Sequence, residues 1–147
     1  MNLDTKIPPP IVSLIILTII YLFDLKEYNL NTDVISVVIL FIGIIFIISA
    51  VVQFVNRKTT VNPTKPYKTT SLVITGAYKI TRNPMYLGML LIIISFAFYK
   101  ASIISLILIQ FFIFYINKFQ IEPEEFEMRK KFGKEYEDYC KKVDRWI

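Results

Sequence analysis

The chain has 147 residues, 54% of them hydrophobic, with a formal charge of +5 and no histidine. That length is about one domain, and so apolar a composition, gathered in long uncharged runs, indicates an all-α integral membrane protein rather than a soluble one. Lack of histidine excludes an imidazole base or metal ligand, and the single Cys140 excludes an intrachain disulfide or a cysteine-rich zinc site. The basic residues flank apolar runs, so anionic membrane lipids suit them better than nucleic acid.

After the polar leader 1–6, the stretch 8–23 is uncharged and opens on Pro8-Pro9-Pro10. Proline is tolerated where a helix begins, because the first amides are unpaired anyway, so a short membrane helix starting near Pro10 is expected. A signal peptide is the competing reading, but the run ends in Tyr21-Leu22-Phe23-Asp24 with no small-residue cleavage site, which favours an anchor. A polar connector holding three acids and one lysine leads to a second uncharged span, 34–55. This span is rich in Ile and Val, yet a lone strand in lipid leaves its backbone unsatisfied, so a helix is predicted, antiparallel to the first. Gly43 is a candidate point of close helix packing.

Residues 56–82 carry six basic side chains and no acid, which assigns this loop, and with it both chain ends, to the cytoplasm. Leu72-Val73-Ile74 is too short to span and is expected to lie at the interface or to cover a neighbour. The stretch from Thr75 to Gly88 then brings polar residues to a helix start at the membrane surface. Asn83-Pro84 reads as N-cap and first helical residue, which leaves open amides where an anion can bind. Taken alone, such a junction is an ordinary capped turn.

Residues 83–117 contain one charge, Lys100. A single helix of that length would run about 52 Å and hold the lysine mid-membrane, so two short spans, 84–99 and 101–117, turning at Lys100 are predicted. The C-terminal part 118–147 holds eight basic and eight acidic residues, with Phe132, Tyr136, Tyr139 and Val143 three or four apart. That spacing predicts amphipathic helices over 123–145 on the cytoplasmic surface. Glu122-Pro123-Glu124-Glu125 reads as a fresh helix start and Phe132-Gly133 as its stop. The hairpin returns these acids beside Arg82-Asn83-Pro84, so an acidic cluster meets a helix start, an arrangement suited to a zwitterion carrying a sulfonium or ammonium.

In these motifs the chain resembles the isoprenylcysteine carboxyl methyltransferase and phospholipid methyltransferase superfamily of integral-membrane enzymes. The resemblance runs from Thr59 to the C-terminus, through Thr59-Thr60-Val61-Asn62-Pro63, Leu72 to Tyr78, Arg82 to Gly88, Glu124-Glu125 and Phe132-Gly133-Lys134-Glu135-Tyr136. It implies one methyltransferase domain over 1–147, with four membrane spans and a site at the cytoplasmic face. S-adenosyl-L-methionine is the implied cofactor, and the implied substrate is a lipid-like amphiphile that offers a carboxylate or an amine. By matching positions, Thr70, Ser71, Leu72, Val73 and Tyr78 line the cofactor, Asn83, Pro84, Met85 and Tyr86 form its pocket, and Glu124 is the acid nearest it. Arg82 and Glu125 are the implied catalytic pair, Glu125 being the acid that would take a proton from an amine acceptor.

Two positions depart from the family pattern. Its Arg-His-Pro is here Arg82-Asn83-Pro84, and the arginine that clamps the substrate carboxylate in the prenylcysteine enzymes is here Gln120, with Lys118 the nearest cation. A non-catalytic binding or scaffold protein that keeps the same fold is the alternative reading.

Overall fold

The computed structural model describes residues 7–23, 33–57, 71–100 and 104–147, and every regular element among them is helical. In chain order these are α1 (Pro9–Leu22), α2 (Asp33–Asn56), a 3₁₀ turn (Gly76–Lys79), α3 (Pro84–Lys100), α4 (Ile104–Ile116), α5 (Glu122–Phe132) and α6 (Lys134–Cys140). The predicted spans fall on α1 to α4 within a few residues. The turn at Ala101 and Ser102 lies outside the described residues.

The expected break before Glu122 is absent. α4 and α5 form one continuous helix, Ile104–Phe132, joined through a π-helical segment, Asn117–Ile121. Pro123 explains both the expectation and its failure. It lacks an N–H and its ring would strike the carbonyl four residues back, so an α-helix would kink or end there. Widening the preceding turn relieves the clash, and the amide of Glu122 donates to the carbonyl of Asn117, five residues back. The acids are therefore carried out of the apolar part of a long helix rather than starting a new one. Gly133 does stop α5, at φ 50°, with its amide bonded to the carbonyl of Arg129.

Among the described residues two helices are long and apolar enough to cross a membrane, Asp33–Asn56 and Ile104–Phe132, while α1 and α3 are shorter apolar helices of 14 and 17 residues. The outward faces of α2 and α4 are hydrocarbon, with Val34, Ile45, Leu106 and Ile107 all exposed, as a lipid surround favours.

α2 packs on α3 at the closest point their backbones allow. A Cβ added to Gly88 would stand 2.6 Å from the carbonyl oxygen of Gly43, and one added to Gly43 would stand 2.8 Å from that of Gly88. The packing expected at Gly43 is thus paired with a second glycine. Further along, Ser95 Oγ donates to the carbonyl of Ser36 at 2.7 Å and fixes the register. On the other side of α3 the core is made by Ile16 and Ile20 of α1, Leu90 and Ile93 of α3, and Phe112 and Ile116 of α4. Val73 is buried with Ala50 and Tyr78, so the Leu72-Val73-Ile74 stretch covers the end of α2.

Candidate active site at the base of α3

The site begins with a turn that only glycine takes without strain. Gly76 has φ +62°, and a Cβ there would lie 2.6 Å from Nε2 of Gln53 on α2. Thr75 Oγ1 donates to Oε1 of the same glutamine at 2.6 Å, so the end of α2 fixes where the 3₁₀ turn starts. The turn buries Tyr78, whose ring meets Phe54 edge-on at 5.6 Å and whose carbonyl accepts the Tyr139 hydroxyl at 2.6 Å. Val73, Ala50, Phe54 and Met85 complete an apolar wall around Tyr78.

Residues 81–83 then bind the end of the chain. Thr81, fully buried, donates through Oγ1 to the carbonyl of Arg145 at 3.1 Å and accepts the amide of Asn83 at 3.1 Å. The Arg82 amide donates to the carbonyl of Asp144 at 2.9 Å. Asn83 stands where an N-cap was expected and its carbonyl takes the amide of Leu87, but its side-chain Nδ2 donates to the carbonyl of Arg145 at 2.8 Å. Its amide group thus clips the tail. Trp146 Nε1 donates to Oδ1 of Asn117 at 3.1 Å and joins that tail to the π-helical segment.

Arg82 and Glu125 meet, as the sequence suggested, but in a larger cluster. Nη1 of Arg82 donates to the carbonyls of Cys140 and Val143 at 3.1 and 2.8 Å, and Nη2 donates to Oε1 of Glu125 at 2.9 Å. Arg145 donates to both oxygens of the same carboxylate, from Nε at 3.2 Å and Nη2 at 2.8 Å. Burial opposes the charge on Glu125, but the two guanidinium groups outweigh it and hold the carboxyl below its usual range.

One residue earlier the situation reverses. Glu124 accepts a hydrogen bond from the Tyr86 hydroxyl, and burial, with the neighbouring Glu125 adding to it, pushes its pKa up to about 8 against the pull of that bond. Burial and the nearby Glu124 also push the Tyr78 phenol upward. Two adjacent acids therefore have opposite environments: one is neutralised by arginines, and the other faces tyrosines and an apolar wall.

Of the residues singled out in the sequence, Tyr86 and Glu124 are joined directly, Val73, Tyr78 and Met85 share the wall, and Pro84 is buried as the first residue of α3. Leu72 is half-buried; Ser71 is at the margin, its hydroxyl 3.5 Å from the carbonyl of Arg57; Thr70 lies outside the described residues. Gln120 and Lys118 part company. Gln120 is fully buried, with Nε2 donating to the carbonyl of Ile7 at 2.9 Å and Oε1 buried without a partner. Lys118 is exposed and paired with Glu122 at 2.8 Å.

Arg145, Thr81, Tyr139 and Gln53 were not foreseen. The four-residue spacing of Tyr139 from Val143 pointed to a packed face, but no local pattern shows that the tail after it returns to α3.

A model of the phospholipid methyltransferase family matches residues 32–135. An uncharacterized protein of Haemophilus influenzae is 40% identical over 63 residues, which are 43% of this chain and all of that protein. No solved structure matches.

Proposed function

The chain belongs to the phospholipid methyltransferase family, and from that premise we propose that it is an S-adenosylmethionine-dependent methyltransferase acting on an amine of a membrane amphiphile. The observation that carries this reading is the half-buried acid Glu124, held by Tyr86 beside Tyr78 at the base of α3, inside the segment the family model matches. In this reading α1 to α4 all cross the bilayer, the short ones tilted or in thinned lipid, and the site and both chain ends face the cytoplasm.

The donor set suits the cofactor. A carboxylate oriented by a phenol, next to aromatic rings and a thioether, is complementary to a cationic group. Bound there, S-adenosylmethionine supplies an electrophilic methyl on a sulfonium. Tyr78, Val73 and Met85 exclude water from that side, and Glu124 provides the anionic partner.

The same geometry favours an amine over a carboxylate as acceptor. Methylating an amine moves a positive charge from sulfur to nitrogen without removing it, so one carboxylate stabilises the site before and after transfer. A carboxylate acceptor would need a cation, and those nearby are engaged: Arg82 and Arg145 with Glu125, and Lys118 with Glu122. Most of the acceleration then comes from holding the nitrogen in line with the methyl group.

Glu125 becomes a positioning residue in this account rather than a proton acceptor. A carboxylate bonded to two guanidinium groups and shifted below its usual range is a poor base near neutral pH. Arg82 likewise is a strut between α3, α5 and the tail.

The test is calorimetry of purified protein with S-adenosylmethionine and with its demethylated product. Both should bind. Glu124→Ala should weaken S-adenosylmethionine by about 10- to 150-fold, the range for losing a hydrogen-bonded charged partner. A folded sample that binds neither at millimolar ligand supports the non-catalytic alternative instead.

A further inference from the structure

The carbonyl of Tyr78 is left over where the chain passes from the 3₁₀ turn into α3. The two amides that would serve it in a continuing helix are both taken: Thr81 donates to the carbonyl of Ala77 at 3.2 Å, and Arg82 to that of Asp144 at 2.9 Å. A buried carbonyl without a donor is costly, and here a side chain supplies one. Tyr139 Oη donates to it at 2.6 Å in a buried contact between residues 61 positions apart.

Tyr139 reaches that carbonyl from α6. Gly133, at φ 50°, ends α5 and turns the chain, and α6 then buries Tyr136 and Tyr139 side by side, their ring centres 6.2 Å apart. The bonds from Thr81, Arg82 and Asn83 to the tail hold the entry to α3. The bond from Tyr139 acts one turn earlier, on the residue whose ring forms the wall beside Glu124.

The backbone of Tyr78 is therefore pinned from two sides. α2 fixes the start of the turn through Gln53 and Thr75, and α6 fixes the carbonyl of Tyr78 itself. Held between them, the ring lies edge-on to Phe54 and packs with Val73, Ala50 and Met85. We infer that Tyr139 is a positioning residue for the pocket: by pairing the Tyr78 carbonyl it keeps the Tyr78 ring beside Glu124 and water away from that carboxyl. The inference rests on the reading of this pocket as an S-adenosylmethionine site.

The hydroxyl can be removed while the ring stays packed, so Tyr139→Phe is the test. The control is Tyr136→Phe, which deletes a phenol hydrogen-bonded to Cys140 on the same helix and leaves the Tyr78 carbonyl paired. Each protein, with its fold established by circular dichroism, is titrated with S-adenosylmethionine by calorimetry from about pH 6 to about pH 9. On the alkaline plateau, Tyr139→Phe should bind about 3- to 10-fold more weakly than wild type, the span of one neutral hydrogen bond. The pH at which affinity levels off should also move. Glu124, with a pKa of about 8, faces Tyr86, Tyr78 and Glu125, and burial is the main cause of its shift. Water admitted at Tyr78 should therefore lower that pH by about one unit. Tyr136→Phe should keep the wild-type plateau and midpoint, since loosening α6 elsewhere does not wet Glu124. A folded Tyr139→Phe with the wild-type midpoint would overturn the role of Tyr139 and leave the cofactor site standing. Absence of binding by folded wild type would overturn the cofactor reading, and the role of Tyr139 with it.

Discussion

Replacing Arg82 with alanine removes the guanidinium that ties α3 to α5 and to the C-terminal tail. Its bonds to Cys140, Val143 and Glu125 measure 3.1, 2.8 and 2.9 Å, and in the Arg82–Glu125 pair the two side chains are only 12% and 9% exposed. Removing one partner of a buried ion pair costs about 3–5 kcal/mol, because the other charge stays buried without compensation. Here Arg145 still holds Glu125 through two bonds, at 2.8 and 3.2 Å, which argues for the lower end, about 3 kcal/mol. At roughly 2–4 °C per kcal/mol for a chain of this size, Tm should fall by about 6–12 °C. A dye that fluoresces on reacting with thiols reads this directly, since Cys140 is the sole cysteine and its own carbonyl is one of the groups released. Cys140 should also react faster well below Tm, as the tail loosens before the spans unfold. Lys118→Ala, which breaks an exposed pair with Glu122, should cost less than about 1 kcal/mol. If Arg82→Ala melts with the wild type and Cys140 reacts no faster, the cluster does not hold the tail.

Gly88→Ala should destabilise by about 1–3 kcal/mol, because the new methyl meets the Gly43 carbonyl and the Ile47 side chain and the helices must separate; unchanged thermal unfolding would remove the basis for the tight α2–α3 crossing. The raised pKa of Glu124, about 8, gives S-adenosylmethionine binding a pH dependence. The carboxyl is neutral below that value and charged above it, so affinity for a cationic ligand should rise by up to about tenfold per pH unit towards 8 and then level off. Glu124→Gln should flatten the profile, and titrations at several pH values show whether it does. Cys140 in intact cells should resist an impermeant maleimide until the membrane is permeabilised, whereas labelling from outside would reverse the assigned orientation.

The helices were legible because long uncharged runs cannot be loops, and the runs 34–55 and 84–99 became α2 and α3 almost residue for residue. The convergence of the acids at Glu122 to Glu125 on Arg82-Asn83-Pro84 was also legible, since a hairpin must return its ends to one face, whereas the bond from Tyr86 to Glu124 was not. What the sequence hid depends on backbone detail or on distance along the chain. Pro123 looks like a helix start under the ordinary rules and is carried through only because five residues before Glu122 adopt π geometry. Gln120 lies in that segment, buried with its amide on the carbonyl of Ile7, a contact 113 positions away that no local pattern shows. Arg145 lies 63 positions from Arg82, and nothing in either neighbourhood tells that both clasp one carboxylate.

The most direct test of the account is to incubate purified protein with methyl-labelled S-adenosylmethionine and a lipid extract of its host, then separate the lipids. The account expects label in a lipid whose headgroup carries an amine, much less with Glu124→Ala, and little in a carboxylate acceptor such as a farnesylcysteine analogue. Label confined to the carboxylate analogue would contradict the assignment of an amine acceptor. No labelled lipid from a folded protein that also fails to bind the cofactor would contradict the assignment as a methyltransferase.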